Sequence, residues 1–317
     1  MNERFTFITI AVGNRATRLE LKYPPSADGG IREGLNPALP AWQVKRMTYT
    51  RLLAGILLAS TAIGAGPAQR PKILGVAHMA VYVRDLTKSR QFYEDFLGFG
   101  EPFTLPDKTG GVRIAFVKVN DKQYLELFNE KDRGEGQLNH ISFYTDDADQ
   151  MREYLAFKKG GVPERVGKGQ TGNKNFNIKD PDGHIVEIVE YQPDSWTARE
   201  AGKFMPPTRI ADRIMHIGVM AGDLESSMRF YHDILGFTEF WRGSSSPRML
   251  SWVNLRAPDG DDYLELMLYD KLPEPDTRGT KNHVCLMVPD ADKSLAELKR
   301  RAAKGLYAPP QGRPMEI

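Results

Sequence analysis

The sequence predicts an α+β protein: tandem βαβββ modules paired into curved mixed sheets, each pair enclosing a cavity with a metal site. Three observations lead there. Four hydrophobic runs open on a histidine: VAHMAVYV at His78, LNHISFYT at His140, IMHIGVMA at His216 and KNHVCLMV at His283. Three of these histidines are followed 48, 47 and 49 positions later by a glutamate in a strand-like stretch: Glu126 in YLELF, Glu187 in IVEIV and Glu265 in YLELM. An unpaired buried carboxylate costs several kcal/mol, so a recurrent one beside a recurrent histidine signals a partner shared by both. Finally, AVYVRDLTKSRQFYEDFLGF returns as GVMAGDLESSMRFYHDILGF, which makes the pattern an internal repeat.

The elements follow in order. The first module, 73–130, reads as a strand over Ile73–Val83 and a helix capped by Asp85 and stopped at Gly98. Strands near Ile114–Val119 and Tyr124–Asn129 close it. The second module, 137–191, caps its helix at Asp146–Asp147 and returns through the Asp180-Pro181-Asp182-Gly183 turn. Residues 193–209, with Pro193, Pro206 and Pro207, form a linker. The third module, 212–270, repeats the first, with Leu224, Met228, Tyr231 and Leu235 on one helix face. The fourth, 280–317, caps at Asp290 or Asp292, and its closing strands would lie beyond Ile317. A module of about 55 residues buries too little surface to stand alone. Pairing gives domains at 71–192 and 210–317, with strand histidines and glutamates converging on the inward face.

The amino-terminal part differs. Residues 1–46 read as an unstructured or mis-called extension, with Met47 as the expected start. Residues 47–70 resemble a signal peptide: Lys45, Arg46 and Arg51 lie beside the apolar run Leu52–Gly66, and small residues follow it. That predicts a secreted or periplasmic protein without a stable membrane span after cleavage, or an anchored one if uncleaved. The net charge of +2, with 26% charged and 41% hydrophobic residues, gives no electrostatic case for nucleic acid. One cysteine, Cys285, excludes internal disulfides. The remaining histidines read as structural: His184 falls on the strand face opposite Glu187, and His232 sits late in a helix.

In combination, H-x-x-x-x-V, D-L-x-x-S-x-x-F-Y-x-x-x-L-G-F, L-E-L and D-P-D-G-x-x-x-E closely resemble the vicinal oxygen chelate superfamily. That superfamily includes glyoxalase I, bleomycin-resistance proteins and extradiol dioxygenases. The resemblance covers about residues 73–317 and implies one His and one Glu ligand from each module of a pair. For the first pair these are His78, Glu126, His140 and Glu187. The second pair offers His216, Glu265 and His283, its fourth ligand lying past the chain end. The donors suit one divalent metal: Zn, Ni, Co, Mn or Fe. The implied activity is a glyoxalase-like lyase or isomerase of a small, vicinally oxygenated substrate, with Glu187 as base and Glu126 returning the proton. Glyoxalase I anchors glutathione with Arg and Asn where this chain has Tyr82 and Glu130 (Met220 and Tyr269 in the second pair), so another substrate is expected. The alternatives are an Fe(II) extradiol dioxygenase in the second pair, or a metal-free ligand-binding protein lined by Trp241, Trp252 and Phe116. Because modules pair within the chain, an oligomer is not required.

Overall fold

Two short strands lead the chain, β1 (Thr6–Ala11) and β2 (Leu19–Lys22), within a computed structural model that describes residues 6–11, 19–22, 69–130, 137–158, 161–246, 249–279 and 281–306. The first module then supplies β3 (Ile73–Val83), α1 (Leu86–Arg90), β4 (Gly100–Pro106), β5 (Val112–Lys118) and β6 (Tyr124–Asn129). The second supplies β7 (Leu138–Thr145), α2 (Ala148–Lys158), β8 (Gly167–Lys168), β9 (Lys174–Lys179) and β10 (Ile185–Glu190). A one-turn helix, α3 (Trp196–Arg199), interrupts the expected linker. The third module gives β11 (Arg213–Ala221), α4 (Leu224–Met228), β12 (Thr238–Gly243), β13 (Trp252–Arg256) and β14 (Tyr263–Leu268). The fourth contributes β15 (His283–Val288) and α5 (Ala291–Ala303).

Asp85 accepts a hydrogen bond from Lys88 N and Asp223 from Ser226 N, so both copies of the Asp-Leu motif cap their helix. Each helix then widens into a π-helical stretch, Gln91–Phe96 and Arg229–Ile234. The wider turn lets adjacent aromatics Phe92 and Tyr93, or Phe230 and Tyr231, both bury. Gly98 and Gly236 end these stretches at φ of 81° and 84°, where a side chain would be strained.

The strands form two curved sheets. One has the order β4-β5-β6-β3-β7-β10-β9-β8, the other β12-β13-β14-β11-β15-β1-β2. In the first three modules the last strand returns parallel to the first, β6 to β3, β10 to β7 and β14 to β11. Antiparallel pairing of β3 with β7, and of β11 with β15, joins modules into half-barrels. Period-2 alternation sends Met79, Val81, Leu125, Leu127, Ile141 and Phe143 into the apolar layer under the helices. The histidines and glutamates face the concave side.

The extension 1–46, expected to carry no fold, contains two strands that do pair. β1 lies antiparallel on β15, at the edge that β10 takes in the other sheet, and β2 pairs with β1. The physical reason is an alternating β-branched segment, TFITIA, beside a strand edge otherwise open to pairing. The signal-like segment 47–68 lies outside the described residues. Among those described, no helix is long and apolar enough to cross a membrane.

Turns from one half lock onto the other. Asp262 accepts from Val76 N at 3.0 Å, Gln123 Nε2 at 3.1 Å and Arg213 Nε at 2.7 Å. Asp180, in the Asp-Pro-Asp-Gly turn, accepts from the Tyr231 hydroxyl at 2.9 Å, and its neighbour His184 meets Arg278 at 3.0 Å.

Candidate metal centres

Strand register brings the first four ligands together. His78 stands opposite Ser142 and Tyr124; Glu126 and His140 flank Ala80 from the two sides; Glu187 stands opposite Ser142. One face of four adjacent strands, β6, β3, β7 and β10, therefore carries all four. The His78 and His140 Nε2 atoms approach to 2.8 Å. Glu187 Oε2 lies 2.8 Å from His78 Nε2 and 3.3 Å from His140 Nε2. Glu126 lies 3.6 Å from His78 and 3.8 Å from His140. None of the four is more than 9% exposed.

Despite these distances, Glu187 Oε2 has no aligned hydrogen bond. A buried carboxylate oxygen with no hydrogen bond, crowded by two imidazole nitrogens, is an arrangement that a cation would satisfy. Surrounding groups fix their orientation. The Asn175 side-chain amide donates to Glu187 Oε1, and His140 Nδ1 meets Asn139 Oδ1 at 2.8 Å. His78 stacks on Tyr124 with ring centroids 4.5 Å apart. Burial acts to raise the Glu187 carboxyl, but His78 and His140 outweigh it and hold the group well below the ordinary range. Burial pushes Glu126 up, and the same histidines only partly oppose it.

Aromatic walls surround this cluster. Phe116, Tyr124 and Trp196 pack together with Leu105 and Ile114, and Phe103 stacks on Trp196 at 5.6 Å. Trp196 comes from α3 in the linker. Sequence reasoning missed it, as it missed Asn175; the polar alternation of KNFNIK was the one available signal for the latter.

The second half-barrel gathers His216, Glu265 and His283, all buried. The two Nε2 atoms lie 3.2 Å apart, and His283 Nε2 is 3.5 Å from Glu265. His216 packs against Tyr263 at 4.5 Å, as His78 does against Tyr124. A Cβ on Gly218 would lie 2.2 Å from the His283 ring, so the glycine leaves the space this imidazole occupies. Both spare histidines serve structure: His184 Nδ1 pairs with Asp180 at 2.8 Å, and His232 Nδ1 meets Phe237 O at 2.6 Å. Asp147, Asp149 and Glu190 also converge, but at the surface, where Lys174 pairs with Asp149.

The family model for the Glyoxalase/Bleomycin resistance protein/Dioxygenase superfamily matches residues 75–188 and 213–312, more than half of the sequence. The chain belongs to this superfamily. A probable lactoylglutathione lyase of Vibrio parahaemolyticus is 29% identical over 124 residues, 36% of this chain and 89% of that protein. A 2,2',3-trihydroxybiphenyl dioxygenase of Sphingomonas paucimobilis is 27% identical over 124 residues, 37% of this chain and 41% of that enzyme. Among solved structures, the 2,3-dioxygenase LapB of Pseudomonas sp. KL28 superposes with a TM-score of 0.54 at 17% identity, covering 75% of this chain and 82% of that one. The chain spans 55% of the length of a homoprotocatechuate 2,3-dioxygenase of Brevibacterium fuscum, at 19% identity, 63% coverage of this chain and a TM-score of 0.47. The half-barrel fold is shared with LapB.

Proposed function

We propose that the first half-barrel is the active site of a metal-dependent lyase or isomerase acting on a small, vicinally oxygenated substrate. The observation that carries this reading is the set of four buried donors on adjacent strands, crowded together with Glu187 Oε2 lacking an aligned hydrogen bond. His78, Glu126, His140 and Glu187 would hold the ion. When bound, a divalent ion supplies Lewis acidity toward two neighbouring substrate oxygens.

The protein's own groups do the rest. Asn175 fixes Glu187 through Oε1, and Oε2, on leaving the ion, would take a proton from the carbon beside the substrate carbonyl. Glu126, on β6 with β3 and β7 between it and Glu187, gives a proton of its own carboxyl to the adjacent carbon, and exchange of the pair with solvent restores the starting protonation. Phe116, Phe103 and Trp196 narrow the cavity and keep water from the reacting carbons. Tyr82 and Glu130 stand where glutathione anchors are expected, so thiol adducts other than glutathione's are favoured as substrates. Turnover of hemithioacetals formed from 2-oxoaldehydes and small thiols tests this. Glu187→Gln should lower turnover by about 10²–10⁴-fold, in the range of a lost general base; unchanged turnover would refute the assignment.

A second reading rests on the other cluster. His216, Glu265 and His283 form a two-histidine, one-carboxylate set, the donor type that suits non-haem Fe(II) with open positions. Extradiol cleavage predicts oxygen uptake with catechols after anaerobic iron loading. No uptake from the iron-loaded chain dismisses it.

A further inference from the structure

We infer that Ser142 is a positioning residue of the first cluster, its hydroxyl accepting a hydrogen bond from His78 Nδ1 when Nε2 of the same ring holds the ion. This rests on the reading of His78, Glu126, His140 and Glu187 as ion-holding donors. It adds a residue that neither the ligand pattern nor the general base supplies.

An imidazole that gives one nitrogen to a metal ordinarily donates from the other, and that second bond fixes both tautomer and ring orientation. His140 follows the rule, with Nδ1 2.8 Å from Asn139 Oδ1. So does His283 in the other half-barrel, with Nδ1 3.2 Å from Lys281 O. His78 departs from it. Its Nε2 lies 2.8 Å from both His140 Nε2 and Glu187 Oε2, so that nitrogen faces the cluster. Its Nδ1 is buried and has no hydrogen-bond partner among the described residues. A buried N–H left without an acceptor costs free energy.

Strand register supplies the acceptor. Ser142 stands opposite His78 across β3 and β7, two residues after His140 and on the same concave face. It is fully buried, and its Oγ also has no hydrogen-bond partner among the described residues. Directly opposed residues have Cβ atoms about 4.5–5.5 Å apart, and rotation about one serine torsion carries Oγ between staggered positions. Two unsatisfied polar atoms so placed are within reach of each other. A hydroxyl can accept one hydrogen bond and donate another. Having accepted from His78, Ser142 keeps its own proton for β10, where Glu187 stands opposite with Oε2 equally lacking a partner. Tyr124, stacked on His78, holds the plane of the ring and leaves its in-plane nitrogens to the neighbouring strands. In the second half-barrel the matching position, opposite His216, is Cys285, whose sulfur is a weak acceptor.

The test uses the full chain with His216→Ala and His283→Ala, so that only the first cluster is read, and measures zinc by competition with a chromophoric chelator. Ser142→Ala should lower zinc affinity by about 10–100-fold, with circular dichroism unchanged. Ser142→Cys should lower it too, and carries the comparison if the alanine variant does not fold. In the zinc-loaded protein labelled with ¹⁵N-histidine, the His78 Nδ1 proton should give a slowly exchanging resonance, assigned by its loss in His78→Gln. That proton should exchange rapidly in Ser142→Ala. Lower affinity with the resonance still in place would mean that Ser142 acts through packing alone, and overturns the inference. Equal zinc affinity with and without the hydroxyl also overturns it, while the metal-dependent reading stands. A parent that takes up no zinc overturns both.

Discussion

At the residue scale, Asn175 and Gly218 each act on a ligand rather than as one. Asn175 holds Glu187 Oε1, and removing such a partner typically lowers metal affinity 10–100-fold. Asn175→Leu should show that loss in competition with a chromophoric chelator, with the fold intact by circular dichroism. Gly218 sits beneath the His283 ring. Gly218→Ala should displace that imidazole and abolish ion binding in the second half-barrel alone. The first half-barrel has Ala80 at the matching position, with His140 beside it in register, and should retain its ion. Metal titration of this variant separates the sites, since equal loss from both would contradict their independence.

At the element scale, strand register gathers the buried histidines and glutamates, and short turns join the two halves. Asp262, at the start of the β14 return, collects three donors from β3, the β5–β6 turn and β11. Asp262→Ala leaves the buried Val76 N–H without its acceptor and the half-buried Arg213 guanidinium without its carboxylate, and a loss of about 2–4 kcal/mol is expected in denaturant unfolding. A loss under 0.5 kcal/mol would show that the halves do not depend on this lock.

Legibility of the sequence follows the same division. That these seven histidines and glutamates would gather into two buried clusters was readable because a glutamate inside an apolar strand, phased to a histidine, has no local explanation. The Asp-Leu caps and the Leu-Gly-Phe stops were equally plain, since capping chemistry is local. Asn175, Asn254 and Trp196 were not readable. An asparagine in WVNLR or KNFNIK looks like any strand polar residue until register sets it beside a glutamate. Trp196 lies in a segment whose prolines mark a linker and hide the helical turn that places it against Phe116. The pairing of β1 with β15 was hidden too, because it joins segments more than 270 residues apart.

At the scale of the whole molecule, two half-barrels follow one order of strands, with different neighbours around similar histidines and glutamates. The first has a second glutamate and aromatic walls; the second gathers His216, Glu265 and His283 among the described residues, with the Asn254 amide opposite Glu265. The central claim is that the first cluster exists to hold a divalent ion. The direct measurement is metal content per chain after equilibration with buffered zinc, for the parent and for His78→Ala with His140→Ala. The account predicts that the double variant loses one ion per chain relative to the parent while its circular dichroism is unchanged. Equal metal content in the two proteins, or a folded parent that takes up no ion, would contradict it.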